Sequence, residues 1–196
     1  MKSWLALGDS YTIGESVPVA DRYPAQTVKI LKTKKLDFKD PEIIAATGWT
    51  TADLLSEMNK RSLGIYDIVT LLIGVNNQYQ GKSLFEYETE FTDLLKQSIQ
   101  FASNHAGHVI VLSIPDYSVT PFARGHNIDL ISKEIDSFNL INRKIASANH
   151  VHYINVTEES RKAANDPSLV ADDGLHYSGK EYAIWAEKLA ELIQNI

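Results

Sequence analysis

The 196-residue chain has no cysteine. This excludes a disulfide framework and any thiolate-ligated zinc site, so stability has to come from an ordinary apolar core. No apolar run approaches the roughly 20 residues that cross a bilayer as a helix. Met1 to Leu7 carry one lysine and an apolar run too short for a secretory leader. The expectation is a cytoplasmic protein without membrane insertion. Positive charge is also scarce: 19 Lys and Arg stand against 25 Asp and Glu, a net charge of -6. Phosphate backbones are bound by clustered cations. The densest basic run, Lys29 to Lys39, reads as one solvated helix face and the turn after it, so no nucleic-acid partner is expected. Repeats, low-complexity tracts and Pro/Gly/Ser-rich linkers are missing too, and residues 1–196 read as one domain.

What is present is an alternation. With 44% hydrophobic and 22% charged residues, the composition is that of a globular fold rather than a disordered chain. Short apolar runs at Trp4–Leu7, Ile43–Ala46, Ile68–Ile73, Val109–Ile114 and Val151–Val156 are bounded by turn residues and read as five strands. Their near-continuous apolar character suits strands covered on both faces, as in a parallel sheet. Helical spacing lies between them. Pro24–Lys34 has proline near its start, and Thr51–Lys60 follows a threonine that can cap. Ser83 and Glu86 form a Ser-x-x-Glu capping pattern ahead of a helix to about Asn104, and Ser178 with Glu181 repeats it before the last helix. Ile128–Ala148 places Ile131, Ile135, Phe138 and Ile141 on one face. The sequence therefore predicts a doubly wound α/β sandwich around a five-stranded parallel sheet, with ligands bound at the carboxyl ends of the strands.

Those strand ends carry polar, glycine-punctuated turns. Gly8-Asp9-Ser10 follows the first, Thr47-Gly48-Trp49 the second and Gly74-Val75-Asn76-Asn77 the third, while Asp172-Asp173-Gly174-Leu175-His176 precedes the last helix. These are the parts of acyl transfer. A serine hydroxyl is a weak nucleophile and needs a base, and imidazole, with an ordinary pKa of about 6.5, is suited to the task. Ser10 is the candidate nucleophile, His176 the base and Asp173 the carboxylate that fixes its tautomer, with Asp172 beside it as the less favoured choice. The backbone amides of Ser10 and Gly48 and the side-chain amide of Asn76 are candidate oxyanion donors.

The set Gly8-Asp9-Ser10, Gly48, Gly74-x-Asn76 and Asp173-x-x-His176, in this order over most of the chain, resembles the four blocks of the SGNH hydrolase superfamily of GDSL-type esterases and lipases. The resemblance implies a flavodoxin-like strand order, 2-1-3-4-5, and hydrolysis of carboxylic esters or thioesters without a cofactor. It implies the same roles for Ser10, Gly48, Asn76, Asp173 and His176. One position departs: the third block of the family commonly ends in aspartate, where Asn77 stands here. That change is expected to alter local hydrogen bonding rather than remove activity, and it is the one sequence feature favouring a catalytically silent binding domain instead of a serine esterase.

Other features carry less. His150-x-His152 has chelating spacing but no third ligand in view, so no metal site is expected. Asp9 lacks the second acid, P-loop lysine or glycine cradle that phosphoryl transfer would need. The Gly-x-Ser-x-Gly elbow of α/β-hydrolases is absent. Tyr79, Tyr117, Phe122 and Arg124 lie on loops at the catalytic edge, where they either line an acyl or sugar pocket or only pack the loops. The expected partner is a small-molecule ester, with sugar esters, lipids and thioesters all open. No sequence feature specifies an oligomeric state.

Overall fold

The computed structural model describes residues 1–196. Five parallel strands form its centre: β1 (Trp4–Gly8), β2 (Glu42–Ala45), β3 (Ile68–Leu72), β4 (Val109–Leu112) and β5 (His152–Ile154), in the order β2-β1-β3-β4-β5. This is the 2-1-3-4-5 order. β1 sits between β2 and β3, pairing Leu5 with Glu42 on one side and Trp4 with Ile68 on the other. Every residue of β1, β3 and β4 is buried, whereas the edge strands β2 and β5 are only partly so. This explains why the three central runs are the most uniformly apolar.

Eight α-helices accompany the sheet, with short 3-10 turns between them: α1 (Ser10–Ile13), α2 (Tyr23–Thr33), α3 (Thr51–Asn59), α4 (Val75–Tyr79), α5 (Leu84–Phe101), α6 (Ile128–Ala148), α7 (Thr157–Ser160) and α8 (Gly179–Ile193). α2 packs on α8, and α5 packs on α3 and α6, so that the sheet is clothed in helices. In α6, Ile131, Ile135 and Phe138 are buried and Ile141 is partly buried, as their spacing requires. The apolar side chains of strands and helices form one continuous cluster.

Three boundaries differ from the sequence expectation by more than one residue, for local reasons. β4 and β5 end early because the chain beyond them turns to side-chain partners. The Ile114 amide donates to Asn139 Oδ1 at 2.7 Å, and the Val156 and Thr157 amides donate to Ser113 Oγ. α5 stops at Phe101 because Ser103 and Asn104 adopt left-handed backbone, with φ of 56° and 62°. At α8 the expected capping box does not form. Ser178 Oγ donates to the Ser168 carbonyl, and Glu181 is buried and accepts from Trp185 Nε1 at 2.7 Å. The box at Ser83 and Glu86, on an exposed helix start, forms completely. No helix is long and apolar enough to cross a membrane.

Candidate active site

β1 delivers Ser10 to the carboxyl edge of the sheet. Gly8 is glycine because a Cβ there would stand 2.4 Å from the Leu72 carbonyl oxygen of the neighbouring strand. Asp9 then caps α1, its Oδ1 accepting from the Tyr11 amide at 3.0 Å, which puts Ser10 in the first turn of a four-residue helix. The amides of such a turn have no intrahelical acceptor and point outward.

The turn before α8 comes to meet it. Asp173 Oδ1 accepts from the amides of Leu175 and His176, both at 2.9 Å, closing the turn. This presents Oδ2 to His176 Nδ1 at 2.6 Å. With Nδ1–H donating to the carboxylate, His176 Nε2 is the ring's acceptor, and it lies 2.9 Å from Ser10 Oγ. Both His176 and Ser10 are buried, and Tyr11 meets the imidazole edge-on at 5.6 Å between centroids. Burial alone would raise the Asp173 carboxyl, but hydrogen bonds from Ser16, from His176 and from the two amides hold it well below the usual carboxylate range. Asp172 is exposed and takes no part.

Gly48 and Asn76 line the same cleft as Ser10 and His176. Gly48 has φ of 82°, a left-handed conformation that suits glycine, with open space where a side chain would go. Asn76 Nδ2 donates to the Trp49 carbonyl at 2.9 Å, which ties the third strand's turn to the second's. A side-chain amide has two protons, so one stays available after this bond. All the motif residues named from the sequence therefore meet at one edge of the sheet.

The GDSL-like Lipase/Acylhydrolase family model matches residues 6–184. The chain belongs to that family. Membership makes this GDSL-like hydrolase a carboxylic ester hydrolase. No curated protein resembles it significantly by sequence. Its fold is similar to that of a member of the lipolytic protein G-D-S-L family from Veillonella parvula, at 16% identity and a TM-score of 0.72 over 99% of both chains. It is also similar to Axe2, an acetylxylan esterase from Geobacillus stearothermophilus, at 19% identity and a TM-score of 0.77, covering 98% of this chain and 94% of that one. The psychrotrophic esterase EstA from Pseudoalteromonas sp., in a structure inhibited by monoethylphosphonate, matches at 15% identity and a TM-score of 0.72 over 100% and 98% of the two chains.

In this GDSL-like hydrolase Asn77 is a structural tie. Its Oδ1 accepts from the Thr51 amide at 3.0 Å and its Nδ2 donates to Thr51 Oγ1 at 2.6 Å. The Thr51 hydroxyl in turn donates to Glu90. A carboxylate is thus present in this network, supplied by α5 rather than by position 77, and Asn77 does not line the cleft. Of the aromatic residues expected on loops, Tyr79 instead ends α4, because the chain after β3 turns straight into that helix, and Tyr79, Tyr117 and Phe122 line the cleft. Arg124 does not, and lies with His126 on a separate groove. No group of three or more His, Asp or Glu side chains is arranged to hold a metal ion. Ser16 is the residue no sequence pattern marks: its hydroxyl donates to Asp173 Oδ2 at 2.6 Å across 157 residues of chain.

Proposed function

We propose that the protein is a serine esterase that transfers small acyl groups from ester substrates to water through an acyl-Ser10 intermediate. The observation that carries this reading is the unbroken chain Ser10 Oγ–His176 Nε2 and His176 Nδ1–Asp173 Oδ2, at 2.9 and 2.6 Å, opening on a cleft that Gly48 and Asn76 also line. Ser10 Oγ attacks the ester carbonyl carbon while His176 Nε2 takes its proton, and Asp173 steadies the imidazolium. The amides of Ser10 and Gly48 and the free Asn76 amide proton receive the oxyanion, each donor worth about 100- to 1,000-fold in rate. His176 then gives its proton to the departing alkoxide. Water, deprotonated by the same nitrogen, attacks the acyl carbon and releases the acid with Ser10 regenerated.

The size of the cleft favours a short acyl group. It holds about 150 Å³, well under the roughly 300–1,000 Å³ of sites that engulf drug-sized ligands. Val75, Tyr117 and Leu175 give it apolar sides. Tyr79 and Phe122, 56% and 38% exposed, flank the opening, where the alcohol part of an ester would rest. The Geobacillus neighbour is an acetylxylan esterase, which accords with an acetyl-sized site.

The test is intact-protein mass spectrometry after exposure to a fluorophosphonate, with Ser10→Ala alongside. A single adduct that maps to Ser10, is missing from the variant and is matched by loss of esterase turnover is the expected result. An unlabelled, folded wild-type protein would instead mark a silent binding domain.

A further inference from the structure

The turn that follows α1 touches both halves of the site. Gly14 caps the C-terminus of α1, and the next two residues reach in different directions. Glu15 Oε2 accepts from the hydroxyl of Thr47, the residue before Gly48. Ser16 Oγ donates to Asp173 Oδ2, the same oxygen that takes the His176 Nδ1 proton. We propose that Glu15 and Ser16 are positioning residues for acyl transfer, Ser16 acting through the Asp173–His176 pair and Glu15 through the Thr47–Gly48 turn. This rests on the acyl-transfer reading above.

Backbone geometry explains how adjacent side chains diverge. Gly14 and Ser16 both adopt left-handed backbone, with φ of 64° and 63°, so the chain reverses on either side of Glu15. Glycine does this freely, but for serine it is disfavoured and persists only where surrounding contacts impose it. The Asp173 bond is such a contact.

Chemistry explains what the hydroxyl does. Two backbone amides satisfy Asp173 Oδ1, so Ser16 is the one donor besides the imidazole that sets the position and basicity of Oδ2. The ion-pair partner of Asp173 is His176, with no lysine or arginine involved. Arg22 packs against Gly14 on this turn but makes no ion pair with Asp173, and the nearby Asp9, Tyr11, Glu15, Asp172, Tyr177 and Tyr182 are not cations. A neutral hydroxyl therefore restrains the carboxylate without repelling the imidazolium. Losing it leaves Asp173 freer to turn and more basic, and a more basic carboxylate grips the imidazolium proton harder.

The experiment is kcat and kcat/KM against pH for wild type, Ser16→Ala, Ser16→Gly and Glu15→Ala, with Ser10→Ala as control. Both Ser16 variants delete the hydroxyl, and glycine alone relieves the left-handed backbone, so an effect they share belongs to the hydroxyl. They are expected to lower kcat by about 3- to 10-fold, with KM near wild type. Their acidic kcat/KM midpoint should move upward by about half a pH unit. Glu15→Ala should lower kcat with the midpoint unmoved. Ser16 variants with the wild-type midpoint, whether or not they melt earlier, overturn the proposal while an inactive Ser10→Ala leaves the serine mechanism standing. Turnover surviving in Ser10→Ala removes both.

Discussion

Asp9 sits between the strand that brings Ser10 to the site and Ser10 itself, and its carboxylate is fully buried. Oδ1 caps α1, but Oδ2 has no partner. Burial pushes the carboxyl up to about 7, against the pull of amide hydrogen bonds. The folded chain then binds more protons than the unfolded chain between about pH 4 and 7, so stability is full below the unfolded pKa and declines as pH rises toward 7, by up to about 1.4 kcal/mol per unit. Asp9→Asn keeps an oxygen for the Tyr11 amide and removes the titration. Urea midpoints at pH 5 and pH 8 should differ less in the variant than in wild type. The slope is reduced rather than abolished, because burial also raises Glu181 to about 7. An unchanged difference would show that Asp9 is not the titrating group. None of this burial was legible in the sequence, where Asp9 reads as a turn residue. Ser10, His176, Gly48 and Asn76 were legible because short motifs at strand ends have fixed positions in a parallel sheet. The choice of Asp173 over Asp172 depended on the three-residue turn that lets its Oδ1 accept the His176 amide.

At the scale of elements, one sequence pattern has two outcomes. Ser-x-x-Glu opens both α5 and α8, but only Ser83–Glu86 closes reciprocally, with Ser83 Oγ accepting from the Glu86 amide at 3.1 Å and Glu86 accepting in return. At α8 Glu181 is buried and accepts from Trp185 Nε1 instead of the Ser178 amide, and Ser178 turns to Ser168. Local propensity decides where the glutamate stays at the surface, and packing overrides it where the glutamate is buried. Ser83→Ala is therefore expected to cost about 1 kcal/mol and lower Tm by about 2–4 °C, with ester hydrolysis unchanged. Ser178→Ala removes a bond between two loops and no cap. Calorimetry on the two variants separates them: an unchanged Tm for Ser83→Ala would refute the capping argument. The long helices α5 and α6 were readable because several turns of periodic burial reinforce one another. α1, α4 and α7, of four or five residues, carry no period; only α1 has a side-chain N-cap, Asp9, while α4 starts at Gly74 and α7 at Val156.

At the scale of the molecule, the cleft is assembled from segments that meet because of the strand order. β1 lies between β2 and β3, so the turns bearing Ser10, Gly48 and Asn76 are neighbours, and the loop after β4 adds Tyr117 and Phe122. Alternating strands and helices made the parallel sheet legible, but the width of a cleft depends on side-chain packing that no pattern encodes. Here that packing is tight. Tyr117 is held by its hydroxyl bond to Gln78 Oε1 at 2.9 Å, and Gln78 is held in turn by Glu134. Tyr117 and Phe122 also pack ring to ring at 6.2 Å. Walls tied together in this way do not part easily for a long chain. Acetyl, butyryl, hexanoyl and octanoyl nitrophenyl esters should therefore show kcat/KM highest for acetyl or butyryl and falling beyond. A long apolar slot would behave oppositely, gaining about 0.8 kcal/mol, or roughly fourfold in kcat/KM, per buried methylene. A steady rise through octanoyl would mean that the Tyr79–Phe122 rim swings open, and that the resting cleft understates the acyl site.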